Sequence, residues 1–224
     1  MPGPLIWDAT GERYFEMGVS KGVLFVMGSA GTYGAGVAWN GLSTVTESPE
    51  GAEPTDIWAD NIKYATLRST ETFSGTIEAY TYPDEFNACN GEATLVEGAT
   101  IGQQSRATFG LCYRTEIGSD TASDGTAGYK LHFLYGLTAS PSEKAYASIN
   151  DSPEAIAFSW EVSSTPVTVT SISGAKPTST VVVDSRTADS TKLRELEKMV
   201  YGDTAKTSKL PTPDEIYTLL NESI

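Results

Sequence analysis

The chain has 224 residues, enough to bury a core, and carries 15 basic against 29 acidic residues, a net charge of −14. Such a surface repels phosphate, which argues against electrostatic or sequence-specific DNA binding. Charged residues make up 20% of the chain, below the usual ~25%, and 28 Thr and 23 Ser take their place. The hydroxyl-rich composition favours a sheet-rich fold.

The two cysteines, Cys89 and Cys112, lack the spacing of a metal site or of a disulfide framework, so we expect both to stay reduced. The longest apolar run near the N-terminus covers residues 23–27, which is too short for a secretion signal or a membrane span. We therefore expect a protein made in a cytoplasm, with no membrane partner and no cofactor.

Strand patterns begin near the N-terminus. Residues 13–17 and 22–27 read as two strands separated by a glycine-flanked turn at Ser20, and a Gly-rich loop over residues 28–36 precedes a strand at 37–46. Residues 47–60 (ESPEGAEPTDIWAD) combine several acids with two prolines and no base. This composition predicts an extended acidic loop, and its length suggests a function.

Two later segments alternate strongly. Over residues 72–82, Phe73, Ile77 and Ala79 share one face, whereas the other face carries Thr72, Ser74, Thr76 and Glu78. Over residues 156–163 the apolar face has Ile156, Phe158, Trp160 and Val162, and the polar face has Ala157, Ser159, Glu161 and Ser163. A period of two predicts half-buried strands whose small, acidic face borders water. Further strands are predicted at residues 107–117, 129–135, 167–172 and 180–184.

The last part of the chain changes to a helical period. Residues 192–201 place apolar side chains at helical spacing, with Asp189 or Ser190 as cap and Gly202 as stop. A second helix is predicted after the N-cap Thr212, with Pro213 at the first helical position and Glu215 closing a capping box with Thr212. We predict a β domain over residues 1–187 and a helical appendage over 188–224, packed on the same domain.

Some sequence motifs suggest catalysis, but each lacks the surrounding sequence that the corresponding function requires. The G-x-S-x-G match around Ser20 lacks the following helix, and the loop at residues 28–36 lacks a nucleotide-binding register. His132 is the only histidine and falls in a predicted strand, so a dyad with Ser20, Cys89 or Cys112 is disfavoured, as is a zinc site. The sequence predicts no enzyme.

Several ordered blocks carry a resemblance to a known family: residues 36–64, 76–91 and 101–118, then SPEAIAFSWEVSSTPV, KPTSTVVVDS and LPTPDEI towards the C-terminus. Together they resemble the major tail proteins, or tail tube proteins, of long-tailed siphophages that infect Gram-positive bacteria. The resemblance covers nearly the whole chain in order. It implies a tail-tube-type β-sandwich or half-barrel with a flanking helix and a C-terminal helical segment.

The resemblance also implies a function and partners. Members of this family form hexameric rings that stack around a tape measure protein into a tube for DNA ejection. Tail terminator and distal tail proteins bind the tube ends, and the protein resides in the host cytoplasm during assembly and then in the virion. Candidate lumen-facing residues are Thr72, Ser74, Thr76, Glu78, Ser159 and Glu161. The 47–60 segment is either an arm to a neighbouring subunit or a plain solvated loop, and its candidate contacts are Glu47, Glu50, Glu53, Asp56, Trp58 and Asp60.

Two rival functions stay open at this stage. One is another β-sandwich virion component or a carbohydrate- or receptor-binding module that forms no tube, with Trp39, Trp58 and Tyr80 as exposed aromatics for glycan. The other is a hydrolase that uses Ser20 or Cys112 with His132.

Overall fold

The computed structural model describes residues 5–51, 53–122, 126–149 and 155–221. Within these ranges the chain is mainly β and ends in two helices, which confirms the predicted fold class. The strands are β1 (Tyr14–Val26), β2 (Val37–Trp39), β3 (Leu42–Glu50), β4 (Pro54–Ala59), β5 (Ile62–Arg68), β6 (Thr72–Ala79), β7 (Ala93–Val96), β8 (Ala99–Ile101), β9 (Phe109–Ser119), β10 (Thr126–Ala139), β11 (Phe158–Ser164) and β12 (Thr180–Asp184). A 3-10 helix (Asp84–Ala88) follows β6, and the helices are α1 (Ser190–Tyr201) and α2 (Pro213–Asn221).

One large antiparallel sheet organises the molecule, with the strand order β2-β1-β9-β10-β11-β6-β3 and with β12 paired to β10. The long strand β10 belongs to both halves of this sheet. Its first part pairs with β9 and β12, and its last residues pair with β11. Gly136 lies at the change of partner with φ 61°, and a side chain there would meet the backbone of Thr165. Any side chain would collide with that backbone, so glycine is required where β10 changes partner.

The first core lies between the two halves of the sheet and is strongly aromatic. Phe86, on the 3-10 helix, is fully buried, with its ring 4.7 Å from that of Trp39 and 5.0 Å from that of Trp160. Residues from β1, β9 and β10 meet residues from β6 and β11 in this core. The sheet therefore forms two layers that face each other, which is consistent with a β-sandwich.

The second core lies on the opposite side of β1, β9 and β10, where the helices cover the sheet. Leu193, Leu196 and Val200 of α1 and Ile216 of α2 pack there against strand residues. Asp189 caps α1 and Gly202 ends it, while Thr212 and Glu215 exchange hydrogen bonds at the start of α2. These helix boundaries and caps agree with the sequence prediction.

Four local predictions are wrong. The single strand predicted at residues 37–46 is two strands, β2 and β3, separated by a turn at residues 40–41. Residues 47–60 are not an extended loop, because β3 continues to Glu50 and the chain then forms the β4–β5 hairpin. The expected turn at Ser20 is a bulged part of the continuous strand β1, in which Gly18 and Lys21 have positive φ. Residues 167–172 form only a single bridge, between Val167 and Thr178. For β1 the partner is distant in sequence, since it pairs with β9, whereas β4 pairs with the adjacent strand β5.

Candidate functional site

The outer face of β3, β6 and β11 is a continuous polar surface, which we call the polar wall. The strand register places its side chains in cross-strand rows. The rows are Thr44–Glu78–Ser159, Thr46–Thr76–Glu161, Ser48–Ser74–Ser163 and Glu50–Thr72. The intervening residues of β6 and β11, such as Ile77 and Trp160, are buried in the first core. Since side chains alternate along a strand, the polar residues must point outward.

The chemistry of the polar wall is uniform. Every side chain in the rows is a hydroxyl or a carboxylate, and none is a lysine, an arginine or a large apolar group. The Ser74 hydroxyl donates to the Ser48 carbonyl at 2.9 Å and to the Glu50 carboxylate at 3.1 Å, so part of the surface is internally hydrogen-bonded. A surface of this kind offers a phosphate no cation to bind.

All six candidate lumen residues predicted from the sequence lie together on the polar wall. Strand β3 also contributes to the polar wall, which was not predicted from the sequence; its outward residues are Thr44, Thr46, Ser48 and Glu50. Their alternation with Val45, Glu47 and Pro49 was present in the sequence. The acid and the proline at inward positions obscured it, because neither is typical of a buried strand face.

The β4–β5 hairpin extends from the end of the polar wall and pairs with no other described strand. Asp60 and Asn61 form its two-residue turn with φ 51° and 64°, the backbone that hairpin turns require. Nearly every hairpin residue is exposed. Its large apolar side chains include Trp58, 66% exposed, and Tyr64, 73% exposed, together with Ile57, Ile62 and Leu67.

Four of the six candidate arm residues belong to this hairpin or its entry: Glu53, Asp56, Trp58 and Asp60. Asp56 is fixed by Lys63 and Thr66, each at 2.8 Å. The other two candidate arm residues lie outside the hairpin. Glu50 lies on the polar wall, and Glu47 points inward, where the Tyr113 hydroxyl donates to its carboxylate at 2.6 Å.

The structure does not bring the hydrolase candidates together. Cys112 is buried in the second core on the helix side, whereas His132 stacks on Tyr113 on the opposite face of the same sheet. The Ser20 hydroxyl donates to the backbone carbonyl of Arg114 at 3.4 Å. Both cysteines are free and buried, and burial raises the pKa of the Cys89 thiol to about 12.

The three aromatic residues considered for glycan binding also lie in different parts of the fold. Trp39 is only 3% exposed, because it lies in the first core. Trp58 lies on the hairpin, and Tyr80 follows the far end of β6. These side chains therefore form no shared platform.

Over the part of the chain that the structure describes, no group of three or more His, Cys, Asp or Glu side chains is arranged to hold a metal ion. None of the described helices combines the length and apolarity needed to cross a membrane. No protein-family model matches the chain, and no curated protein matches it at a significant level.

Proposed function

We propose that the chain is a structural protein of a phage tail, in which copies assemble into stacked rings around a channel for DNA. The observation that carries the proposal is the polar wall, a complete strand face of hydroxyls and carboxylates without a cation. Ring symmetry, six by the family resemblance, and the tape measure, terminator and distal tail partners are parts of the same proposal. So is residence in the virion after assembly in the host cytoplasm.

The polar wall suits a surface that DNA must pass without stopping. Lysine and arginine retain nucleic acid by binding phosphates, and a wall without them offers no such contact. Carboxylates such as Glu78 and Glu161 repel phosphates over about one Debye length, ~10 Å at 0.1 M salt, so only charges close to the channel act on the DNA.

The exposed apolar groups suit contacts between copies. Besides the hairpin, Leu5, Ile6 and Trp7 near the N-terminus are each more than 70% exposed. Exposed apolar surface of this kind favours association. Strand β3 ends the large sheet, and its outer edge pairs with no described strand. Pairing this edge with the next copy would extend the polar wall and remove an aggregation-prone edge.

Electron microscopy of the concentrated protein tests the proposal. Rings or hollow tubes are the expected result. Persistent monomers would overturn it, and monomers that also bind glycan would support the receptor-binding alternative.

A hairpin variant tests how the copies meet. Leu67 is paired with Thr55, which is two residues from Ile57 in the β4–β5 register, so Ile57 and Leu67 lie on the same face of the hairpin. Replacing both, Ile57→Ser with Leu67→Ser, should leave the monomer folded and prevent tube formation. Tyr217→Ser on α2, at a site 40% exposed, is the matched control and should still assemble.

A further inference from the structure

Asn90, Glu92 and Lys144 form a hydrogen-bonded cluster that the proposed assembly does not use. The Asn90 amide Nδ2 donates to Glu92 Oε1 at 2.9 Å. Lys144 Nζ donates to the same oxygen at 2.6 Å. On the other side, Trp160 Nε1 donates to Asn90 Oδ1 at 3.1 Å. A carboxamide is thus held between an indole N–H and a carboxylate that also binds an amine.

The cluster lies against the aromatic core and is largely shielded from water. Asn90 is 7% exposed and Trp160 is 1% exposed, while the side chains of Lys144 and Glu92 are 24% and 21% exposed. Lys144 Nζ also lies 3.3 Å from the Tyr82 hydroxyl, and the Tyr82 and Trp160 rings are 5.3 Å apart. Hydrogen bonds to Glu92 and Tyr82 therefore hold the amine on the carboxylate that also binds the Asn90 amide.

We propose that Lys144 and Asn90 condense to an amide cross-link within the chain, with Glu92 as the proton relay. Lys144 Nζ bonds to Cγ of Asn90, the Cγ–Nδ2 bond breaks, and the side-chain nitrogen leaves as ammonium. One ammonium group and one carboxamide are consumed, and one secondary amide and one ammonium ion are formed. Glu92 ends the reaction ionised, as it began, and no oxidant or other reactant is needed.

The geometry assigns a step to each group. Burial lowers the pKa of Lys144, but its hydrogen bonds to Glu92 and Tyr82 outweigh this and leave the pKa above the ordinary lysine value, so the ion pair is the resting form. Reaction begins when the proton moves from Nζ to Glu92 Oε1, which leaves an amine with a free electron pair. The same oxygen also contacts Nδ2, so Glu92 can deliver that proton to the leaving nitrogen. After attack, Nζ gives up a second proton by the same route, so the nitrogen leaves as ammonium and Glu92 is ionised again.

Trp160 is placed to stabilise the oxyanion that forms during the reaction. Attack on Cγ moves negative charge onto Oδ1, and the indole N–H already points at that atom in a water-poor site. A donor placed in advance at a developing oxyanion is an effective stabiliser of such a transition state. Nζ and Nδ2 contact the same Glu92 oxygen, at 2.6 Å and 2.9 Å, so both nitrogens lie on one side of that carboxylate. Lys144 follows β10 in a segment without regular structure, so its side chain can move from Glu92 towards Cγ to reach attack distance.

Other lysine–carboxylate pairs lack this arrangement. Lys209 and Glu215 are equally close at 2.6 Å, but neither side chain is hydrogen-bonded to a carboxamide in the described ranges. The cross-link would join the turn after the 3-10 helix to the segment after β10, and it does not depend on tube assembly.

Peptide mapping by mass spectrometry tests the cross-link on the full chain after prolonged incubation. The expected product is one linked peptide that contains Asn90 and Lys144 and is lighter than the two free peptides by one ammonia molecule. Lys144→Arg keeps a cation beside Glu92, and Glu92→Gln keeps hydrogen-bonding capacity. Both should abolish the linked peptide, whereas Lys209→Arg should retain it.

Near-UV circular dichroism of each variant shows whether the fold is intact. Free Asn90 and Lys144 peptides from folded, fully incubated wild-type protein would overturn the proposal. So would conversion of Asn90 to aspartate with Lys144 unmodified, or a linked peptide that persists in Lys144→Arg.

Discussion

At the scale of single residues, Glu47 connects the two layers of the sheet. It extends from β3 to the Tyr113 hydroxyl and lies 3.6 Å from His132 Nδ1. Glu16, from β1, approaches the same imidazole from the other side, at 3.4 Å from Nε2, and is also bound by Thr115 and Lys130. One imidazole, 13% exposed, thus lies between partly exposed carboxylates of two different strands.

These contacts predict sensitivity to acid. The His132 imidazole lowers the pKa of Glu47, burial opposes this, and the Tyr113 hydrogen bond adds to the lowering. A lowered pKa in the folded state means that the unfolded chain binds protons first. The stabilisation is therefore complete above the ordinary glutamate value of 4.5 and is lost as the pH falls through the lowered value.

Glu47→Gln should reduce the unfolding free energy at neutral pH by about 1 kcal/mol, the difference between a charged and a neutral hydrogen bond. It should also flatten the loss of stability on acidification, measured by urea unfolding between about pH 3 and 7. Glu161→Gln removes the same charge on the polar wall and serves as the control. Equal acid sensitivity in wild type and Glu47→Gln would contradict the assigned role of this carboxylate.

At the scale of secondary-structure elements, helix α2 is an example of a locally encoded structure. The Glu215 backbone N–H donates to the Thr212 hydroxyl at 3.2 Å, and the Thr212 N–H donates to the Glu215 carboxylate at 3.0 Å. Thr212→Ala removes one half of this exchange and should cost about 0.5–2 kcal/mol of stability, measured by thermal unfolding. Thr212→Ser keeps the hydroxyl and should remain near wild type. A loss of the same size in both variants would exclude the cap as the cause.

The predictions that are confirmed depend on such local signals. The caps at Asp189 and Thr212 involve residues within one helical turn, and the alternation around Trp160 is readable within one strand. The bulged course of β1 was missed because it depends on a partner outside the segment. The β4–β5 hairpin was missed although its strands are adjacent, because the acids and prolines of residues 47–60 are typical of a loop. β1 pairs along its length with β9, about 100 residues away. The inward direction of Glu47 follows from the β3–β6 register, which the acidic composition of its segment does not reveal.

At the scale of the whole molecule, the charge is distributed so that one face is free of cations. The chain has 15 lysines and arginines, and none of them contributes to the rows of the polar wall. Several are instead engaged in ion pairs elsewhere, such as Lys130 with Glu16 and Arg114 with Glu116. General acidity promotes solubility in any protein. The proposed channel also requires a lining that is itself free of cations, because only charges within about one Debye length of the DNA act on it.

Reversing the charge of the polar wall tests whether its acidity serves only solubility or also lets DNA pass. Glu78→Lys with Glu161→Lys leaves the chain acidic overall and changes outward side chains that pack against no core residue, so folding and assembly should persist. Assembled tubes of this variant should retain labelled duplex DNA in a salt-dependent manner, while wild-type tubes should not, because each new lysine can bind a phosphate. In a phage that carries the variant, DNA ejection should slow. Glu12→Lys with Glu195→Lys makes the same charge change off the polar wall and should have neither effect. Equal DNA retention by the two double variants, or normal ejection through tails built from the wall variant, would show that this face does not line the channel.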